Sequence, residues 1–184
     1  MNFNLHSHLE GQHAFLSASK YHWINYDEAK LVDTFGKFQA TQRGVALHDL
    51  ACQCIKLGVK LPRTNKALNL YVNDAIGFKM RTEQILYYSD NCFGTADTVA
   101  FRQNTLRIHD LKTGQTPGSM NQLLVYAALF CLEYRIQPGD IEIELRLYQS
   151  DEVLVHRPEV EEVLHIIDKI ILFDKMIDQI KARG

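Results

Sequence analysis

A chain of 184 residues, 46% hydrophobic and 23% charged, can bury a core of its own and shows none of the bias of disordered, collagen-like or disulfide-scaffold proteins. Its 20 Lys and Arg against 22 Asp and Glu give a net charge of −2, so bulk charge points to no partner and any nucleic-acid site must be a local patch. Cys52, Cys54, Cys92 and Cys131 form no C-x-x-C pair and no zinc or iron–sulfur spacing, so they read as buried, reduced thiols of a cytoplasmic protein. No basic-then-apolar leader and no run of ~18 apolar residues is present, so neither a signal peptide nor a membrane span is expected.

Residues 1–14, with His6, His8 and His13, read as a polar, mobile terminus rather than a metal site. The stretch L-S-A-S-K-Y-H-W (16–23) reads as a short helix with Ser17 as its N-cap and Trp23 as its anchor to the fold. A helix over 41–57 ends at Gly58, with Val45, Leu47, Leu50, Cys54 and Leu57 as its apolar stripe and His48 among them. A lone histidine in such a stripe is ordinarily a packed or surface residue. A second helix is expected over 62–80, with Leu68, Val72, Ala75 and Ile76 along one side. Lys56, Lys60, Arg63, Lys66, Lys79 and Arg81 make this region basic. Singly each reads as a solvated charge; as a group they could face phosphates. A strand over 82–89 puts Glu83, Ile85 and Tyr87 on one side, and Glu83 is either a third carboxylate near a site or an exposed edge charge.

The stretch C-F-G-T-A-D-T-V-A-F-R-Q-N-T-L-R-I-H-D-L-K (92–112) then reads as two strands joined by a Gln103-Asn104 turn. With that turn Arg102 faces Thr105, and Asp97 falls opposite Asp110. Directly opposed residues stand with their Cβ atoms roughly 4.5–5.5 Å apart on one face of the sheet. Lys112 shares that face with Val99, Phe101, Leu106 and Ile108, which makes it the core face. Two carboxylates at the end of an apolar surface repel each other and lose hydration, so one must be neutralised unless a cation lies between them. A divalent metal held by Asp97 and Asp110, with Lys112 alongside, is the economical arrangement.

The loop T-G-Q-T-P-G-S (113–119) follows, dense in turn formers, and Ser119 is a suitable N-cap for a largely apolar helix over 120–134. That loop lacks the spacing and lysine of a Walker motif. Gln122 and Tyr126 lie one turn apart on the helix and form either a structural hydrogen bond or a pair reaching into a site. Pro138-Gly139 turns into a strand over 141–149, with Ile141, Ile143, Leu145 and Leu147 inward and Glu142, Glu144, Arg146 and Tyr148 outward. Pro158 opens a last helix over 158–182 whose wide apolar stripe packs on the sheet or on another chain. The order predicts one α/β (α+β) domain over 1–184 with a mixed central sheet flanked by helices.

Four segments, R-G-V-A-L-H-D-L-A (43–51), F-G-T-A-D (93–97), H-D-L-K-T-G (109–114) and N-Q-L-L-V-Y-A (121–127), stand in one order that resembles the PD-(D/E)XK nuclease superfamily. The likeness is greatest to its RecB-like and phage-exonuclease-type branches, and the opening L-S-A-S-K-Y-H-W also resembles that branch's N-terminal segment. It extends from about residue 15 to about residue 150. His109 stands where the family name has proline, at a position that bears no chemistry.

The resemblance implies a restriction-endonuclease-like core and a metal-dependent deoxyribonuclease. It would be an exonuclease of recombination, repair or replication, working in a bacterial or phage-infected cytoplasm. It implies His48, Asp97, Asp110 and the main-chain carbonyl of Leu111 as ligands of Mg²⁺ or Mn²⁺, Lys112 as the catalytic lysine, and Gln122 and Tyr126 as residues that position substrate or support that lysine. Glu83 is a candidate further acidic contributor, and no iron–sulfur cluster is expected. Hard divalent cations prefer carboxylate oxygens and polarise both water and phosphate; a histidine ligand tilts the choice modestly to Mn²⁺. DNA is the implied partner, with a homo-oligomer or a helicase or annealing protein as further candidates, and no membrane. Two other readings remain: a nuclease-fold module that binds nucleic acid or protein without cutting, and a scaffold whose carboxylates are structural.

Overall fold

Strand formers dominate the chain between positions 81 and 156, and there they build one five-stranded mixed sheet. A computed structural model describes residues 5–12, 14–114 and 116–183, so His13 and Gln115 lie outside the described residues. The strands are β1 (Arg81–Ser89), β2 (Cys92–Arg102), β3 (Thr105–Lys112), β4 (Glu142–Gln149) and β5 (Glu152–His156), adjacent in chain order. All neighbours are antiparallel except β3 and β4, which run parallel. A parallel pair needs a crossover, and α3 (Met120–Tyr134) supplies it. The other helices are α1 (Glu28–Leu57), α2 (Ala67–Gly77) and α4 (Val160–Lys181). None of the helices among the described residues is long and apolar enough to cross a membrane.

The chain, read from sequence as one domain, divides into two compact units, Met1–Val45 and Ala46–Gly184. In the first, the helix expected over 16–23 is a 3-10 segment, Ala18–Asn25, kinked at Lys20. Ser17 does not cap it; its hydroxyl meets that of Ser19 at 3.0 Å, while its carbonyl accepts the Trp23 indole N–H at 2.9 Å. His6 precedes another short 3-10 turn, Ser7–Leu9, His8 lies within it, and both are exposed. Helix α1 starts far earlier than position 41. Asp27 anchors its first turn by accepting the Lys30 amide at 2.7 Å, and the Asp33–Lys37 pair supports the next. Gly36 lies in that N-terminal stretch, where Leu31, Phe35 and Phe38 recur at helical spacing although Leu31 and Phe35 are exposed.

In the second unit helices cover the sheet on both faces. Helices α3 and α4 close one face over Leu86, Val99, Leu106, Ile108, Leu145 and Leu147. The C-terminal part of α1 and α2 close the other over Ala100, Leu111 and Tyr148. Strands β3 and β4 are therefore buried on both sides, and this corrects the expected outward face of 141–149, since Glu144 and Tyr148 are buried. Phe101, expected in the core, is 42% exposed. The predicted turn is present: Arg102 pairs with Thr105, and Gln103 and Asn104 both take positive φ, as a two-residue hairpin requires. The second helix is shorter than 62–80. Asn69 binds Pro62 and Thr64 and keeps the residues before α2 in a loop. Strand β5 escaped prediction because its turn, Ser150-Asp151, uses positive φ at two residues without glycine.

Burying charge on the α2 side requires partners, and most are supplied, though His109 Nε2 and Arg107 Nε lack an aligned hydrogen bond. Tyr148 Oη donates to Asp74 Oδ2 at 2.7 Å and meets His109 Nδ1 at 3.2 Å, while Arg146 and Arg157 hold Glu144 at 2.9 Å. Burial pushes the Glu144 carboxyl up, but Arg157, Arg146 and Arg107 outweigh it and hold the group below its ordinary value. Burial, aided by Arg146, pushes the His109 imidazole down to about 3. A group with a depressed folded-state pKa contributes stability above its ordinary value near 6.5 and loses it as pH falls toward the folded value. We expect unfolding free energy to fall from pH 6.5 to pH 5 by up to ~1.4 kcal/mol per pH unit through this residue. His109→Gln should flatten that slope in urea titrations; an unchanged slope would show that the imidazole is not the titrating group.

Candidate active site

Five of the sequence-predicted side chains converge where β2, β3 and the first turns of α3 meet. The β2–β3 ladder runs from Arg102↔Thr105 to Thr98↔His109 and ends one step short of the expected Asp97–Asp110 pair. The Asp97 side chain takes over from the ladder there: Oδ2 accepts the Leu111 main-chain N–H at 3.0 Å. The same oxygen stands 3.5 Å from His48 Nδ1 on α1. Leu111 itself is buried on β3, with its side chain in the core against α1 and α2.

Asp110 is the unusual member. Its side chain is 2% exposed, and neither carboxylate oxygen accepts a well-aligned hydrogen bond. Lys112 Nζ approaches Oδ2 at 2.9 Å as an ion pair outside hydrogen-bond geometry. Burial, and then the neighbouring Asp97 charge, push the Asp110 carboxyl up, against the opposing pull of Lys112. A buried carboxylate with free lone pairs is costly unless a proton or a cation answers it.

Lys112 is held from the helix side. Its ammonium donates to Gln122 Oε1 at 2.8 Å, Gln122 Nε2 donates to Tyr126 Oη at 3.2 Å, and Tyr126 donates to the Thr95 carbonyl at 2.7 Å. One line of hydrogen bonds thus joins β3, α3 and β2. Gln122 and Tyr126 can do this because Ser119 starts α3 at the expected residue, its hydroxyl accepting the Asn121 amide. Two glycines make room. A Cβ at Gly94 would lie 2.9 Å from the Tyr126 ring, and one at Gly118 would lie 2.9 Å from Lys112 Cγ and from Leu147.

Glu83 is not gathered into this group. Thr82↔Thr98 and Gln84↔Ala96 leave it across the ladder from Asp97, but its φ of +52° is left-handed and its carboxylate accepts Cys52 Sγ at 2.9 Å and Lys56 Nζ at 2.8 Å. The Cys52 hydrogen bond and Lys56 hold that carboxyl below its ordinary value. All four cysteines are free, but against the expectation of buried thiols Cys52 and Cys92 are only half-buried, and Cys52 is engaged by Glu83. Sequence reasoning also missed Gln149, whose amide binds the Gly114 and Thr116 carbonyls and the Gly118 N–H and so clamps the loop after Lys112. Its position at the last residue of β4, facing a glycine-rich loop, was the available signal.

Among the described residues no three His, Cys, Asp or Glu side chains stand close enough together to cage a metal ion. His48, Asp97 and Asp110 nevertheless offer one imidazole and two carboxylates, a donor set that suits Mg²⁺ or Mn²⁺, and the unbonded oxygens of Asp110 fit a cation's demand.

If Asp110 is kept for chemistry rather than stability, its neutral isostere should stabilise the metal-free fold. Asp110→Asn is expected to raise stability by about 1 kcal/mol in EDTA at neutral pH, read by urea unfolding. A loss of stability would make the carboxylate structural. Gly94→Ala should displace the Tyr126 ring, seen as a changed tyrosine environment in near-ultraviolet circular dichroism with the far-ultraviolet spectrum unchanged.

No protein-family model matches the sequence, no curated protein matches it, and no solved structure matches the fold.

Proposed function

We propose that the chain is a metal-dependent DNA nuclease of PD-(D/E)XK type that hydrolyses phosphodiester bonds, with exonucleolytic action in recombination, repair or phage-type replication. The observation that carries this reading is the buried Asp110 carboxylate, left without an aligned hydrogen bond beside Asp97 and next to a lysine anchored by Gln122 and Tyr126. A purely structural carboxylate at 2% exposure would have been satisfied, as Glu144 is by three arginines.

In this reading Asp97 and Asp110 hold Mg²⁺ or Mn²⁺, with His48 and the Leu111 carbonyl completing the ligand set. Once bound, the ion would lower the pKa of water and draw charge from the phosphate oxygens. Asp97 is presented in one orientation by the Leu111 N–H, which the ladder leaves free at that step. Lys112, held between Asp110 and the Gln122 carbonyl oxygen, orients the attacking water and shares the charge that develops on phosphate. Gln122 and Tyr126 fix the lysine, and their exposed flank lies open to the backbone of a substrate strand. Glu83, engaged by Lys56 and Cys52, stands outside the ligand set.

The test is cleavage of end-labelled linear and circular DNA, single- and double-stranded, with Mn²⁺, Mg²⁺ or EDTA. Metal-dependent loss of linear DNA with circles intact is expected, reduced at least about 100-fold in Lys112→Ala and in Asp110→Ala. Gln122→Ala should cost less, about 10-fold, since it acts through Lys112. DNA binding by a folded protein with no cleavage under any condition would leave the non-cutting module instead.

A further inference from the structure

The basic residues that the sequence places around position 80 do not lie at the carboxylate pair. Lys79, Arg81 and Arg102 instead rim a groove of about 510 Å³ at the far end of β1 and β2, against the last turn of α3. Its wall is aromatic. Phe101 and Phe130 stand 5.3 Å apart between ring centres, and Phe130 and Tyr134 stand 4.7 Å apart. Phe130 is buried and joins two rings that are open to solvent, Phe101 at 42% and Tyr134 at 51%.

We propose that this groove is a second binding site, for single-stranded DNA, separate from the catalytic carboxylates. Exposed rings give a base a π-face to stack on, and such stacking needs bases that are not already stacked in a duplex. The rim supplies the electrostatic half. Among the described residues no carboxylate lies within 4.0 Å of Lys79, Arg81 or Arg102, so their charge is free for phosphates. Lys79 takes φ of +53°, a conformation that favours glycine, so the chain keeps a cationic side chain there at a backbone cost.

The groove also connects to the site. Arg81 and Gln84 line a second, smaller hollow that continues along β1 to Lys56. Lys56 neutralises Glu83 on the way, and Cys52 and His48 follow on successive turns of the same helix. Tyr134 is twelve residues beyond Gln122 on α3, which puts the platform about 18 Å along the helix from the lysine anchor. A strand held on the rings could therefore run along β1 with its end at the carboxylates. This assignment rests on the nuclease reading for its direction, though not for the binding itself.

The full chain in EDTA is titrated with fluorescein-labelled oligo(dT), single-stranded, and with a duplex, following anisotropy. Phe101→Ala with Tyr134→Ala should weaken oligo(dT) binding by about tenfold or more, and Tyr134→Ala alone, at an exposed ring, should weaken it in the same direction. Tyr134→Phe should retain wild-type affinity. Replacing Lys79, Arg81 and Arg102 by Gln should lower the slope of log affinity against log salt by about 2. Hydrolysis of bis(p-nitrophenyl) phosphate with Mn²⁺, a substrate too small to span the distance, should be unchanged in all of these variants. Wild-type oligo(dT) affinity in the folded alanine variants, or equal dependence on the rings for duplex, would overturn the site. If the rings matter for oligo(dT) but the wild type hydrolyses nothing, the groove stands and the nuclease reading falls.

Discussion

A carboxylate buried on a strand that is covered on both faces is the constraint from which the rest of this fold's second unit can be understood. Asp110 lies near the end of β3, with α3 on its own side and the α1–α2 layer behind it, and neither of its oxygens has a well-aligned donor. At 2% exposure bulk solvent scarcely reaches it, and the neighbouring Asp97 charge raises the cost. Lys112 offsets part of that cost, and Gln122 accepts a hydrogen bond from the same ammonium.

The supporting parts are arranged around that anchoring. Ser119 sets the start of α3, which fixes where Gln122 and Tyr126 face β2 and β3. Gly94 lets the Tyr126 ring lie against β2, and Gly118 leaves space for the Lys112 stem. Gln149 secures the loop between Lys112 and Ser119 by binding its main chain. The site is held by hydrogen bonds to backbone groups at several points, a means of fixing a polar constellation without burying more charge. On the opposite face Tyr148 joins His109 Nδ1 to the half-buried Asp74, while His109 Nε2 is left without an aligned hydrogen bond.

Much of this was legible in the sequence, because short-range rules govern it. The turn at Gln103-Asn104 fixed the register from Arg102↔Thr105 to Thr98↔His109, one step from Asp97 and Asp110. Helix α3 and its cap followed from Ser119 and an apolar run. The outward assignment of Glu144 and Tyr148 failed because alternation assumes one solvated face, and β4 has none. Glu83 could not be placed by pattern, since its left-handed backbone turns the carboxylate to Lys56 and Cys52. The hydrogen-bond line through Thr95 and the clamp from Gln149 depend on tertiary contacts that no local pattern encodes. The long N-terminal part of α1 was not foreseen, although Leu31, Phe35 and Phe38 stand at helical spacing around Gly36.

The most direct test of the central claim is a titration of the metal-free chain with Mn²⁺, following the loss of the free-ion signal by electron paramagnetic resonance. If the Asp97–Asp110 pair is poised for a cation, the wild type binds Mn²⁺ saturably. Asp110→Asn and Asp97→Asn each abolish that binding, while Glu83→Gln leaves it in place. Equal binding by the wild type and by both aspartate variants, or saturable binding lost only with Glu83, would contradict the account.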